Sequence, residues 1–173
     1  VAGSAEGFME FATACSGRLF RTAWLLTGDW HLAEDLVQET LGKVYRAWTK
    51  RSRPDDPLAY ARTTLVRTYI THRRRRRAAE HPTDTVPEVA VPEVDVALRI
   101  TLIDALARLE PKDRVVLVLR YWEDRSVEET AAELGLSAGA VRSRSFRALE
   151  RLRSVLGDGI RWPDPRPAQN EVS

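Results

Sequence analysis

Two stretches of this 173-residue chain gather most of the side chains able to do chemistry. "VRSRSFR", from Val141 to Arg147, interleaves arginine and serine with one phenylalanine. "RTYITHRRRRR", from Arg67 to Arg77, ends in five consecutive arginines. Such residues recognise rather than make or break bonds. A guanidinium can fork two hydrogen bonds to guanine, serine adapts, and an aromatic edge meets thymine methyls. A run of cations attracts phosphate whatever the base sequence. The rest of the chain offers no rival chemistry: no glycine-rich phosphate loop, no nucleophile–base arrangement and no carboxylate dyad. His31, His72 and His81 lack metal-ligand spacing, and the single cysteine, Cys15, excludes a disulfide framework or a cysteine-rich zinc site. No catalytic residue, metal or cofactor is expected.

Recognition requires helices that present these side chains to a partner. Advancing about 100° per residue from Val141 puts Val141, Ser145, Ala148, Leu149 and Leu152 in one sector, the expected core stripe. Ser143, Phe146, Arg147 and Glu150 lie opposite, with Arg142 and Arg144 on the two flanks. Phe146 is therefore expected to be exposed until a partner covers it. Upstream, "SVEE" at Ser126–Glu129 fits a capping box, and it opens a short helix holding Val127, Ala131 and Leu134. Gly135 and Ser137 then supply a turn and a cap. A short helix, a glycine turn, a cap and a longer basic helix form a helix-turn-helix pattern. Two further helices precede it, at about 96–109 and from Pro111. The "VVLVL" run of the second fits a strand by itself, but its length and flanks favour a buried helix.

The arginine run lies at the end of a similar helix. Leu58, Ala61, Leu65 and Tyr69 share a face, with Val66 at its edge. Tyr60, Thr63, Thr64, Arg67 and Thr71 lie opposite, a polar and aromatic face suited to unstacked bases and phosphates. Asp56 and Pro57 are a good N-cap and first-position pair for this helix. Two helices precede it. One covers about 4–27, with Phe8, Phe11, Leu19, Ala23 and Leu26 toward the core and Gly28 ending it. The next is capped by Asp29 and runs to about Thr49, with Leu32, Leu36, Val37, Leu41, Val44 and Trp48 as its stripe.

The charge distribution divides the chain. The net charge is only +2, yet residues 1–78 carry 14 basic and 8 acidic side chains, whereas residues 79–95 carry five acidic ones and none basic. That segment, "AEHPTDTVPEVAVPEVD", holds three prolines and no sustained helical period, so it is expected to be an extended acidic linker. The expected fold is all-α: a lobe at 5–78, the linker at 79–95, a lobe at 96–157 and a flexible tail at 158–173. No apolar run is long enough to span a membrane, and the lone cysteine suits a reducing compartment, so a cytoplasmic protein without membrane insertion is expected. Arginine outnumbers lysine heavily, a bias that points to a GC-rich genome.

In this order and spacing the motifs resemble a bacterial extracytoplasmic-function (ECF) sigma factor of the sigma-70 superfamily. "LAEDLVQETLGKVYRAW" resembles region 2.2, "DPLAYARTTLVRTYITHRRRRR" stands in the place of regions 2.3–2.4, and the stretch from "ALARLEPKDRVVLVLRYW" to "ALERLR" resembles region 4. The resemblance implies a subunit that directs core RNA polymerase to promoters and helps melt the minus-10 region. Polymerase docking on the β′ coiled coil then falls to Asp35, Gln38 and Glu39 beside Leu41, with further contacts to the β subunit. Minus-10 contacts fall to the Arg51–Pro57 loop, with Arg51, Arg53, Asp55 and Asp56. They extend to Tyr60, Thr63, Thr64, Arg67 and Thr71, and to Arg73, Arg74, Arg75, Arg76 and Arg77. Minus-35 contacts fall to Arg142, Ser143, Arg144, Phe146 and Arg147. The linker's place in the family is the polymerase channel leading to the RNA exit. Many members carry asparagine where this chain has Arg67, so the family's minus-10 base is not carried over. Many are also held by an anti-sigma factor, a further candidate partner. The residues alone leave open a helix-turn-helix regulator that acts without polymerase, and a helical interaction protein with a basic tail.

Overall fold

The computed structural model describes residues 2–49, 54–78 and 96–157, with side chains over 5–49, 54–76 and 102–157. Arg51, Arg53, the 79–95 linker and the 158–173 tail lie outside these residues, as does the side chain of Arg77. The chain divides into two units, 1–94 and 95–173. All regular structure among the described residues is helical.

Three helices build the first unit: α1 (Ala2–Thr27), α2 (Trp30–Thr49) and α3 (Pro57–Ala78). Local chemistry sets their ends. Gly28 takes φ 71°, which a side chain would resist, and its N–H donates to the Trp24 carbonyl at 2.8 Å. Asp29 Oδ1 accepts from the Leu32 N–H at 2.8 Å, and Asp56 Oδ1 accepts from the Ala59 N–H at 2.9 Å, capping α2 and α3. The apolar stripes then meet. Leu19, Ala23 and Leu26 of α1, Leu36 and Val44 of α2, and Ala61, Leu65, Val66 and Tyr69 of α3 are buried. Phe8 and Phe11 are only half-buried, and each packs its ring on Trp48, at 5.7 and 5.2 Å between centroids. On α2, Leu32 and Leu41 fall at the margin of the core, while Thr40 is fully buried. Its hydroxyl donates to the Leu36 carbonyl at 2.7 Å, which removes most of the cost of burying it.

The second unit holds α4 (Val96–Ala107), α5 (Pro111–Leu117), α6 (Val127–Leu134) and α7 (Ala138–Leu156). The five residues of the apolar run, Val115 to Leu119, are all buried. They form a helix enclosed on every side, which explains their lack of period. That helix does not stop at Leu117. It passes into a π-turn over Val118–Trp122, with the Glu123 N–H reaching back five residues to the Val118 carbonyl at 3.0 Å. Ser126 and Glu129 form the reciprocal capping box of α6, with bonds of 3.0 and 2.8 Å. Gly135 closes α6 at φ 63°, and Ser137 caps α7 through the Ala140 N–H at 3.1 Å. Val116, Ala131 and Val141 then form a common core, with Val127, Leu134 and Leu136 packed against it.

One member of the α7 stripe is polar. Ser145 is buried, and its hydroxyl has no hydrogen-bond partner among the described residues. An unpaired buried hydroxyl destabilises the fold, so Ser145→Ala is expected to raise unfolding stability by about 1 kcal/mol. Urea titration of the full chain measures this, and a loss of that size would mean that the hydroxyl is satisfied.

Candidate nucleic-acid interface

Core packing fixes the rotation of α7. Val141, Ser145, Ala148, Leu149 and Leu152 are buried, which turns Ser143, Phe146, Arg147 and Glu150 outward. Phe146 is 54% exposed, as its angular position demands. The flanking arginines differ from each other. Arg142 stays well exposed and pairs loosely with Glu128 at 3.2 Å. Arg144 turns back toward α5, where Nη1 donates to Asp113 Oδ1 at 2.7 Å. The sequence did not single out Glu128 or Asp113. The available signal was the flank position of each arginine together with a carboxylate in the first turn of a preceding helix. Which helix lies beside which flank is a tertiary fact.

The α3 face also follows from its core. Tyr60, Arg67 and Thr71 are exposed, and Thr63 and Thr64 half-buried. Thr71 donates its hydroxyl proton to the Arg67 carbonyl at 2.9 Å, leaving its oxygen available as an acceptor. Arg73, Arg74, Arg75 and Arg76 are exposed along the end of the helix. Arg73 and Arg76 also line a shallow hollow with Leu32, Leu36 and Tyr69. Asp55 is exposed, whereas Asp56 is engaged in capping α3.

On the outer side of α2, Asp35, Gln38 and Glu39 are exposed and Leu41 is half-buried. Glu39 does more than face solvent. Its carboxylate meets Lys43 at 2.8 Å and His72 of α3 at 2.7 Å. Lys43 in turn donates to Thr68 Oγ1 at 2.9 Å, so this polar network crosses from α2 to α3. The Lys43 hydrogen bond, aided by that of His72, holds the Glu39 carboxyl below the usual glutamate range against the opposing effect of burial. A folded-state value below the unfolded one gives stabilisation that is present above the unfolded value and lost as pH falls through the folded one. No helix among the described residues is long and apolar enough to cross a membrane.

Comparison with known proteins gives the same division into two units. The sigma-70 region 2 family matches residues 11–79, and the sigma-70 region 4 family matches residues 105–154. The chain is 40% identical over 151 residues to the RNA polymerase sigma-E factor of Streptomyces coelicolor, covering 86% of this chain and 85% of that one. It is 38% identical over 148 residues to the ECF RNA polymerase sigma factor SigL of Mycobacterium tuberculosis, covering 80% and 82%. Among solved structures, it is similar to the sigma factor RpoE of Bartonella quintana, solved in complex with the anti-sigma factor NepR. The TM-score is 0.68 at 25% identity, covering 87% of this chain and 97% of that one.

Proposed function

The chain belongs to the ECF sigma factors of the sigma-70 family, and from that premise we propose how its residues divide the work of promoter-specific transcription initiation. It is a non-enzymatic subunit of RNA polymerase, and its partner by family is the core enzyme. The polymerase performs the chemistry, and this chain selects the promoter. The observation that carries the residue-level reading is the outward Phe146, set among Ser143, Arg147 and Arg142 on the last helix of a helix-turn-helix. That face suits the major groove of the minus-35 duplex. Arginine there forks to guanine, and the phenylalanine edge meets thymine methyls.

The α3 face takes the minus-10 strand. Tyr60 offers a surface for an unstacked base, Thr63, Thr64 and Thr71 offer hydroxyls, and Arg67 a cation. Arg73–Arg77 anchor the backbone electrostatically. Trapping unstacked bases stabilises the open strand, so binding energy drives melting. The Arg51–Pro57 loop, with Arg51, Arg53 and Asp55, holds a base flipped from the minus-10 strand. Asp56 contributes by capping the helix. The acidic 79–95 segment threads the polymerase channel, where its charge mimics nucleic acid. The protein works in the cytoplasm, where polymerase and promoter are. An anti-sigma factor, the class of partner seen with the Bartonella protein, is a further partner.

Asp35, Gln38 and Glu39, with Leu41, dock on the β′ coiled coil. Gln38 is the cleaner probe of that surface, because Glu39 also ties α2 to α3. Gln38→Ala is expected to weaken binding to core polymerase by about 1 kcal/mol and to change folding stability by no more than about 0.5 kcal/mol. A pull-down titration with core polymerase, paired with thermal melting, measures both. Equal affinity of variant and parent would remove Gln38 from the docking surface. Failure of the parent to bind core polymerase at all would restore the polymerase-independent regulator.

A further inference from the structure

The two arginines beside the exposed face of α7 are held in contrasting ways. Arg142 and Glu128 meet at 3.2 Å with both side chains largely in solvent. Such a pair contributes little, and phosphate can displace it. Arg144 and Asp113 meet at 2.7 Å, where 26% of the arginine side chain and only 8% of the aspartate remain exposed. Separating that pair leaves a buried carboxylate without compensation, a far greater cost. Asp113 lies in the first turn of α5. The same turn is secured by its neighbour Arg114, which is buried and donates through Nε to the Leu106 carbonyl at 2.6 Å. The anchor for Arg144 is therefore itself held in place. Around α7, Arg144 falls on the flank of the buried stripe next to Ala148 rather than opposite it.

We propose that Asp113 is a positioning residue for promoter recognition: it holds Arg144 as a strut between α5 and α7, so that Arg144 reads no base. Reading at the minus-35 duplex then belongs to Arg142, Ser143, Phe146 and Arg147, and the proposal rests on that assignment. The strut withholds one positive charge from phosphate, which lowers the sequence-independent affinity for any duplex.

The test uses holoenzyme assembled from core polymerase and the full chain. The probes are a minus-35 duplex selected by the parent from a randomised library and a scrambled duplex. Asp113→Asn frees the Arg144 charge. Its binding to the scrambled and the selected duplex is expected to rise alike, about fivefold, with a salt dependence steeper by roughly one released counterion, because a phosphate contact is sequence-independent. A contact that serves stability alone would lower the melting temperature and leave the salt slope unmoved. A second variant, Asp113→Asn with Arg144→Leu, removes both charges and leaves neither unpaired. Its library preference is expected to match the parent at every position, and this arm decides the matter should Asp113→Asn alone fail to fold. A changed preference at one position would make Arg144 a reader and overturn the proposal, as would an unchanged salt slope in a folded Asp113→Asn protein. Phe146→Ala and Arg147→Ala serve as reference. Parental preference in both would show instead that the minus-35 assignment had failed.

Discussion

Phe146→Ala and Arg147→Ala each weaken recognition of the minus-35 duplex by about 1–3 kcal/mol while leaving thermal stability nearly unchanged. The expectation follows from where the side chains point. Phe146 is 54% exposed, on the side of α7 away from the buried Val141, Ala148, Leu149 and Leu152. Truncating it removes little packing from the free protein, but removes an apolar contact made only when DNA arrives. Arg147 is likewise exposed, and truncation removes a guanidinium able to fork to guanine. Transcription from promoters with intact and altered minus-35 elements, together with a thermal melt, measures both halves. A folding loss of about 3 kcal/mol or more for Phe146→Ala, the size of a large core truncation, would show the ring to be buried in the working protein.

Arg67 and the arginine run are expected to separate into two behaviours. Arg67 is exposed on the face of α3 opposite Leu65 and Tyr69, where a cation can stack on a base, fork to guanine or meet a phosphate. Arg67→Ala is expected to change which minus-10 base is preferred. Arg74 and Arg75 are a fair test of the run, because Arg73 and Arg76 also line the hollow beside Leu32, Leu36 and Tyr69. Replacing Arg74 and Arg75 with glutamine is expected to weaken all promoters about equally. It should also reduce the log–log salt slope by about 1.4–1.8, the sum of two phosphate contacts on single- or double-stranded DNA. Transcription from a library randomised across the minus-10 element, at two salt concentrations, distinguishes the two. A uniform loss for Arg67→Ala, without a new base preference, would make Arg67 a phosphate contact and leave base choice to the Arg51–Pro57 loop.

Local order and helical period are enough to place the helices and the outward faces of two of them. Gly28, Asp29, Asp56, Ser126, Gly135 and Ser137 act within a few residues of themselves, so their capping roles are legible from local order. The direction of Phe146 was legible for a related reason: a helix has a fixed period, and once Val141, Leu149 and Leu152 are placed inside, Phe146 has one direction left. Other features depend on how the helices pack. The π-turn at Val118–Trp122 left no periodic mark, because it begins within Val115–Leu119, which are all buried and show no stripe to interrupt. Glu39 with His72, and Asp113 with Arg144, lie 33 and 31 residues apart. Charge pairing at that separation depends on which helix packs beside which. Neither propensity nor period carries that information.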